Sequence, residues 1–275
     1  MHGGALDALA IRSALTDRLG PRLAGRFEPR VLAVTCSTND DALALGHGGA
    51  SEGTVVLAEH QTAGRGRRGD AWVSPPGTNL LFSLLLQPTV GLATWTRLPH
   101  LAGLAVCRAL ESQFPALTEP HLKWPNDLYL DDRKLAGILV ESRSTGGRPP
   151  CAVVGIGLNV NGLPAEFPED LRPIATTLRE HTGHLIDRNT LVAAILAEWA
   201  ALYPTGLCSD FAPVRDELRR RSWLIGREIV VLANGNELAG RAHDIGPEGE
   251  LHLLTPGGAI ETIRSADRVI WRTVR

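Results

Sequence analysis

The sequence lacks the marks of metal-binding, secreted, nucleic-acid-binding and membrane proteins. Its four cysteines, Cys36, Cys107, Cys151 and Cys208, form no CxxC pair, which argues against a zinc site and a disulfide framework. The formal net charge of -2 gives no general basic excess, so nucleic acid is not an expected partner. The N-terminus has no signal-peptide pattern, and no apolar run approaches the roughly 18 residues of a membrane span. We expect a cytoplasmic protein without a membrane partner.

Two common nucleotide-binding signatures are also missing. The sequence contains no GxxxxGK[ST] P-loop. The string GRGRRG at 64–69 matches GxGxxG, but a dinucleotide fingerprint must open a helix, and the DAWVSPPG that follows contains two prolines. The pattern therefore argues against a nicotinamide dehydrogenase, and any ATP would be held without a P-loop.

The composition is typical of a soluble globular protein. Hydrophobic residues make up 44% of the 275-residue chain and charged residues 21%, with room for a large and a small domain. Residues 5–19 predict an amphipathic helix that Gly20-Pro21 ends, and the almost wholly apolar run at 191–202 predicts a buried helix. Strand-like runs in the middle of the chain are joined by short turns such as DDR, which favours antiparallel neighbours.

The character of the sequence changes near residue 221. Short strand-like runs such as EIVVLA and LHLLT follow, separated by the turn clusters NGNE, GPEGE and TPGG. Short strands that alternate with such clusters predict a small β-barrel. We therefore expect one domain at residues 1–221 and a second at residues 222–275.

The segment from Gln61 to Gly69, QTAGRGRRG, is rich in glycine and arginine. The glycines free the backbone, and the arginines supply fixed donors for a carboxylate or a phosphate. The segment therefore predicts a local anion site, although a solvated flexible loop also explains it.

The string KWPNDL at 123–128 places Lys123, Asn126 and Asp127 around a proline. A plain turn explains Pro-Asn-Asp, but it does not explain the lysine and tryptophan just before. An aspartate beside a lysine on a rigid turn suits Mg²⁺ binding or the orientation of an incoming amine. A structural turn and a core tryptophan are the alternative explanation.

Two further strings place glycines inside strands. KLAGILV at 134–140 begins with Lys134 and contains Gly137, and glycine in a strand often marks close approach of a ligand or another backbone. VGIGLNVNG at 154–162 has two more glycines, and its Asn159 and Asn161 alternate onto one face. A solvent-facing strand end is the alternative explanation for Lys134, and either asparagine could serve only to satisfy a loop.

Four strings in this order, CSTN, QTAGRGRRGDAWVSPPGTNL, LKWPNDLYLDDRKLAGILVE and VVGIGLNVN, closely resemble the biotin protein ligase family. The resemblance runs from about Val31 to the C-terminus. It implies an α/β (α+β) fold, in which a catalytic domain of the biotin/lipoate ligase type has a mixed, largely antiparallel sheet. A small C-terminal SH3-like β-barrel follows that domain.

The resemblance implies an ATP-dependent, AMP-forming enzyme. Such an enzyme converts biotin to biotinyl-5′-adenylate and then transfers biotin to a lysine of its partner, a biotin carboxyl carrier protein domain of acyl-CoA carboxylases. The expected ligands are biotin, ATP and Mg²⁺.

The resemblance also assigns residues to these ligands. The biotin ureido ring is expected at Ser37, Thr38 and Asn39, with Gln61 beside it. The remaining expected binding residues are Arg65, Gly66 and Arg67 in a ligand-closing loop, Lys134 at the biotin carboxylate, Gly137 beside biotin, Lys123, Asn126 and Asp127 at the phosphates and Mg²⁺, and Asn159 near the nucleotide.

Charge repulsion between the two substrates determines what the catalytic residues must do. The biotin carboxylate and the α-phosphate of ATP are both anions, so cations must neutralise them and the charge that develops in the transition state. The expected catalytic residues are Lys134, Arg65, Arg67 and Asp127, with Asp127 also the expected Mg²⁺ ligand.

Two rival functions are close to this one. A lipoate ligase shares the fold and the adenylate chemistry, but GRGRRG and KWPNDL are strings of the biotin branch. Some biotin ligases are also DNA-binding repressors through an N-terminal winged helix, and only 30 residues precede Val31, so we expect no DNA binding. Edge strands could pair or be covered, which leaves monomer and homodimer both open.

Overall fold

The larger part of the protein is built on one seven-stranded sheet. The computed structural model describes residues 4–143, 150–209, 211–233 and 235–271. The sheet has the order β1-β2-β3-β7-β6-β5-β4. Its strands are β1 (Glu28–Thr35), β2 (Thr54–Gln61), β3 (Leu80–Leu86), β4 (His121–Lys123), β5 (Asp127–Leu130), β6 (Arg133–Arg143) and β7 (Cys151–Leu158). Strands β1 and β2 pair in parallel and the other neighbours are antiparallel, which confirms the expected mixed, largely antiparallel sheet.

Helices cover both faces of this sheet. They are α1 (Ala8–Ala24), α2 (Thr38–His47), α3 (Leu98–Gln113), α4 (Leu178–Thr182), α5 (Arg188–Cys208) and α6 (Ala212–Arg220). Val55 and Leu57 of β2 belong to the main core with α3 and α5, whereas Val56 packs in a second cluster with Ala42 and Leu43 of α2. Successive strand residues point to opposite faces, so α2 lies alone on the face opposite the main core.

The first helix follows its prediction with one difference. The Asp7 side chain accepts a hydrogen bond from the Ala10 N–H and caps the N-terminus of α1. The helical geometry breaks at Gly20, whose φ of 72° suits glycine, as the Gly20-Pro21 pair predicted. A further helical turn, residues 21–24, follows the break instead of a loop.

Helix α5 is longer than predicted, and its length contradicts the expectation about apolar runs. It extends from Arg188 to Cys208, is capped by Asp187, and is long and apolar enough to span a membrane. The statement that no apolar run approaches that length is therefore wrong. More than half of its apolar window, 56%, is buried inside the protein, where it packs against α1 and α3. This is the packing of a core helix of a globular protein.

The C-terminal part forms a separate five-stranded antiparallel sheet of order β11-β10-β9-β8-β12. Its strands are β8 (Glu228–Ala233), β9 (Asn236–Ile245), β10 (Leu251–Leu254), β11 (Ile260–Ile263) and β12 (Arg268–Trp271). The expected series of short strands is confirmed, while the SH3-like closure and the division between residues 221 and 222 stay predictions.

The two sheets are joined closely beside β4. The Leu122 N–H donates to Arg221 O, and the Trp223 N–H donates to Leu122 O, both at 2.9 Å. The Trp124 indole N–H donates to Gly249 O at 2.9 Å, in the turn between β9 and β10. The C-terminal sheet is thereby held against the KWPND turn of the first domain.

Candidate active site

A cavity of about 320 Å³ lies between β6 and β7, the beginning of α2, the glycine-arginine loop and the start of β12. This volume is within the range of small-molecule sites. The predicted site residues that line it are Ser37, Thr38, Asn39, Gln61, Arg65, Gly66, Arg67, Lys123, Asn126, Asp127, Lys134 and Gly137.

The expected ureido pocket forms at the start of α2. Ser37 is the N-cap residue, with an extended backbone that turns the chain from β1 into the helix. The backbone N–H and the Oγ1 of Thr38 both donate to Gln61 Oε1, at 2.8 and 2.9 Å. Because β1 and β2 run parallel, the helix that follows β1 and the last residue of β2 meet at one edge of the sheet.

Asn39 is fixed on both atoms of its amide. Ser83 Oγ donates to Asn39 Oδ1 at 2.6 Å, and Asn39 Nδ2 donates to Glu141 Oε2 at 2.7 Å. Ser83 Oγ also lies 2.7 Å from Thr38 Oγ1. Thr38, Asn39 and Ser83 are buried and Glu141 is partly exposed, and their hydrogen bonds set the amide orientation. The pocket is thus a prearranged set of uncharged hydroxyls and amides, held on one side by the Glu141 carboxylate.

Three glycines form the sheet floor of the cavity. Gly137 in β6 pairs with Gly157 in β7, and Gly155 lies two residues away on the same face. A Cβ at Gly155 would collide with the Asn39 amide, and a Cβ at Gly157 would collide with the Trp72 ring. At Gly137, a Cβ would lie 2.9 Å from Trp72 Cζ3. Trp72 takes the space beside Gly137 here, so the placing of biotin at Gly137 stays a prediction.

Lys134 and Asp127 form an ion pair beside this floor. Lys134 Nζ lies 2.7 Å from Asp127 Oδ1, with side chains 33% and 20% exposed. The ammonium is also 5.6 Å from the centroid of the Trp72 ring. The predicted carboxylate-binding cation and the predicted metal ligand are therefore neighbours.

The turn that carries Asp127 is tied to β6. Asn126 Nδ2 donates to Ile138 O at 2.8 Å, and the Ile138 N–H donates to Asn126 O at 2.9 Å. Among the described residues there is no group of three or more potential metal-ligating side chains. Asp127 is one of three cavity carboxylates, with Asp70 and Asp267, and they form no such group, which suits a Mg²⁺ ion held mainly by substrate phosphates.

Lys123 faces the same part of the cavity from β4. Its Nζ donates to the Tyr129 hydroxyl at 2.9 Å. Burial lowers the pKa of Lys123, and the nearby negative charge of Asp127 partly offsets that effect. Burial, followed by the charge of Asp127, raises the pKa of Tyr129 to about 12. The tyrosine therefore stays neutral beside the lysine at physiological pH.

Arg65 is engaged by two acidic residues. Its Nη1 and Nη2 donate to the two carboxylate oxygens of Asp40, each at 2.7 Å, and its Nη2 lies 3.5 Å from Glu141 Oε2. The hydrogen bonds to Arg65 lower the pKa of Asp40 and raise that of Arg65 itself. This bidentate pair anchors the loop to α2. The catalytic role of Arg65 stays a prediction.

The next two arginines connect the loop to the second domain. Arg67 Nη2 donates to Ala266 O at 3.2 Å, and Arg68 forms an ion pair with Asp267. Burial and the charge of Arg68 lower the pKa of Arg67, while Asp127 opposes them. Arg67 faces the cavity with its positive charge, so the second domain contributes directly to the position of this cation.

Asn159 lies away from the cavity lining. It is buried, and its side-chain oxygen accepts from Asn79 Nδ2 at 3.4 Å. Asn161 accepts from the Ile186 N–H and donates to the Ile186 O, each at 2.9 Å. Asn161 therefore pairs with backbone groups of a loop, which was the alternative explanation for this residue. The role of Asn159 near the nucleotide stays a prediction.

Several lining residues escaped the motif analysis. No feature of the sequence identifies Trp72 as a site residue. The Ala266–Ile270 stretch belongs to the second domain, and the motifs do not specify where that domain docks. Ser83 was detectable, because it is the single polar residue in the buried run LLFSLLL. Buried polar residues in apolar strands need partners, which is a signal for a site.

Two parts of this chain match the models of known protein families. Residues 31–159 match the Biotin/lipoate A/B protein ligase family, and residues 224–269 match the Biotin protein ligase C terminal domain. A biotin--[acetyl-CoA-carboxylase] ligase of Paracoccus denitrificans is 37% identical over 83% of this chain and 95% of its own length. The corresponding protein of Mycobacterium tuberculosis is 36% identical over 93% and 94%. This chain belongs to the biotin protein ligase family.

A solved structure supports the same assignment. The biotin protein ligase from Aquifex aeolicus in complex with biotin and ATP matches with a TM-score of 0.75 and 30% identity, over 89% of this chain and 98% of that one. The family and the fold class predicted from the four strings are confirmed. The match to the biotin-specific C-terminal domain disfavours the lipoate ligase alternative.

Proposed function

We propose that this protein ligates biotin to an acceptor protein at the expense of ATP. Biotin is first converted to biotinyl-5′-adenylate with release of pyrophosphate, and the biotinyl group then passes to a lysine with release of AMP. The named activity of the Paracoccus and Mycobacterium relatives and the biotin and ATP in the Aquifex complex support this function.

One observation on this chain is the main support for the proposal. A single cavity combines the polar pocket around Asn39, whose hydroxyls and amides are uncharged, with several cations, among them Arg67, Lys123 and Lys134. The ureido group of biotin needs uncharged donors and acceptors, whereas its carboxylate and the ATP phosphates need positive charge. The glycine floor between Asn39 and Lys134 leaves no sheet Cβ in the way of one extended ligand, which would lie there once the Trp72 ring moves aside.

In the first step, a carboxylate oxygen of biotin attacks the α-phosphorus, and the bond to pyrophosphate breaks. Lys134 is placed to hold the carboxylate, and Arg67 and Lys123 to balance charge on the phosphates. Both reactants are anions, so this balance lowers the cost of bringing them together. Asp127 would hold a Mg²⁺ ion that accompanies ATP, and the ion would supply further charge neutralisation.

In the second step, the acceptor lysine attacks the acyl carbon as a neutral amine, AMP leaves, and the amine loses a proton. Asp127, the cavity carboxylate beside Lys134, can orient this amine. The adenylate is a mixed anhydride that water destroys, so cover by the loop at 64–69 protects it. Arg68 and Asp267 hold that loop against the second domain.

The cellular setting is part of the proposal. The acceptor is a biotin carboxyl carrier protein domain of an acyl-CoA carboxylase, in keeping with the names of the relatives. The protein acts in the cytoplasm as a monomer or homodimer, without nucleic-acid or membrane partners. Its domains meet between residues 221 and 222, where Arg221 remains bound to Glu217 of α6.

Biotin-dependent exchange of pyrophosphate into ATP tests the first step. The assay is run with Mg²⁺, with biotin or lipoate, and with the Arg67→Ala variant beside wild type. Exchange with biotin alone, and its loss in the variant, is the expected result. Exchange with lipoate instead of biotin, or with neither acid, would refute the proposal.

A further inference from the structure

Lys123 differs from two other cations of the site, Lys134 and Arg65, in its partners. Lys134 is paired with Asp127, and Arg65 is paired with Asp40. In the described part of the chain, no carboxylate lies within ion-pair distance of Lys123. Its ammonium instead meets uncharged aromatic groups.

Two aromatic side chains enclose this ammonium. Lys123 Nζ lies 4.8 Å from the ring centroid of Tyr129 and 5.5 Å from that of Trp223. The same nitrogen donates to the Tyr129 hydroxyl at 2.9 Å. Ring faces and a neutral hydroxyl attract a cation without cancelling its charge, as a carboxylate would.

The second domain fixes this aromatic enclosure. Trp223 packs on Tyr129 with ring centroids 5.1 Å apart, and its indole N–H donates to Asp132 Oδ1 at 2.7 Å. The Arg227 guanidinium lies 4.1 Å from the Trp223 centroid and 4.7 Å from the Trp271 centroid. The ring that restrains Lys123 is therefore itself held by Asp132 and Arg227.

We propose that Tyr129 is a positioning residue that, with Trp223, holds Lys123 as a cation facing the phosphates of ATP, without a direct ion pair among the described residues. This inference rests on the proposed function for the identity of the anion. Its physical basis is preorganisation: a lysine that is already oriented and has no carboxylate to release loses less on binding a phosphate.

Kinetics of Tyr129→Phe test the inference, with Tyr203→Phe as a matched control. The sequence has two tyrosines, and Tyr203 lies on α5, stacked on Trp199. Tyr129→Phe keeps the ring and removes the hydroxyl, so it should raise the KM for ATP about tenfold, the equivalent of one hydrogen bond to a charged group. The KM for biotin and the kcat should stay within about twofold of wild type.

A spectroscopic measurement reports on Lys123 without catalysis. Lys123 and Lys134 are the only lysines in the sequence, so a protein labelled with ¹³C-lysine gives two Cε signals. The signal of Lys123 should be displaced by the rings, should move in Tyr129→Phe and should respond to added inorganic pyrophosphate. The signal of Lys134 should keep its wild-type position in Tyr129→Phe.

The two measurements separate the inference from the proposed function. If wild type catalyses biotin-dependent exchange but Tyr129→Phe has a wild-type KM for ATP, the inference is wrong. If wild type shows no such exchange, the proposed function fails, and the pyrophosphate titration still decides the inference. If the Lys123 signal of wild type does not move when pyrophosphate is added, the inference is wrong.

Discussion

Lys134 Nζ and Asp127 Oδ1 are 2.7 Å apart, although Lys134 is the second residue of β6 and Asp127 begins β5. The contact places the cation assigned to the biotin carboxylate against the carboxylate assigned to the metal and the incoming amine. A change at either residue therefore alters the charge at both assigned positions.

Replacing Lys134 should damage the first step most. Lys134→Gln removes the positive charge and leaves Asp127 without its ion-pair partner, so like charges would face the biotin carboxylate. The kcat/KM of biotin-dependent pyrophosphate exchange should fall about 100-fold or more. Arg30→Gln, at an exposed ion pair with Glu28, is the control and should exchange as wild type does. Equal activity of Lys134→Gln and the control would rule out the assigned role.

Gly155 should tolerate no side chain. An added Cβ meets the Asn39 amide, which is also held by Ser83 and Glu141 and cannot move without losing buried hydrogen bonds. Gly155→Ala should therefore raise the KM for biotin about tenfold or more while the KM for ATP changes little. Gly91→Ala, where a Cβ meets open space, serves as the control. A wild-type biotin KM in Gly155→Ala would show that the Asn39 amide does not bind biotin.

The contact of the loop with the second domain should control loop dynamics. Arg68 pairs with Asp267, and Arg67 donates to Ala266 O. Asp267→Asn should weaken this docking, so hydrogen exchange of the amides at 64–69 should accelerate while that of α5 stays unchanged. Glu28→Gln breaks an exposed ion pair elsewhere and should leave the loop exchange at its wild-type rate. Equal loop exchange in both variants would show that Asp267 does not hold the loop.

The sequence predicted the motif-bearing part of the site better than its surroundings. Glycines inside strands and clustered cations have chemical reasons that are visible locally, so Gly137, Lys134 and Asp127 could be chosen from the sequence. Trp72 could not, because its contact with Gly157 depends on how a loop folds back over the sheet. The residue just before β12, Asp267, likewise reaches the site only through the docking of two domains.

The sequence also did not show which acidic residue pairs with which cation. Arg65 and Lys134 are both cations in recognisable strings, yet Asp40 holds one and Asp127 the other. Helix α5 shows a different limit: its apolar composition fits a membrane span or a core, and only packing against α1 and α3 distinguishes them.

The contact of His100 with the second domain should make stability depend on pH. His100 in α3 packs against Gly249, and burial lowers its pKa from 6.5 to about 4, despite the contact with the Gly249 backbone and the charge of Glu250. Below pH 6.5 the unfolded chain takes up a proton that the folded protein does not. The stabilisation from His100 is therefore complete above that pH and is lost as the pH falls towards 4.

Denaturant unfolding between about pH 7 and pH 5 measures this loss. The free energy of unfolding of wild type should fall by up to about 1.4 kcal/mol per pH unit more than that of His100→Gln, which has no titrating ring at this position. His184→Gln, at an exposed histidine, should follow wild type. Parallel losses in wild type and His100→Gln would mean that the imidazole titrates normally, and that the domain contact does not exclude its charged form.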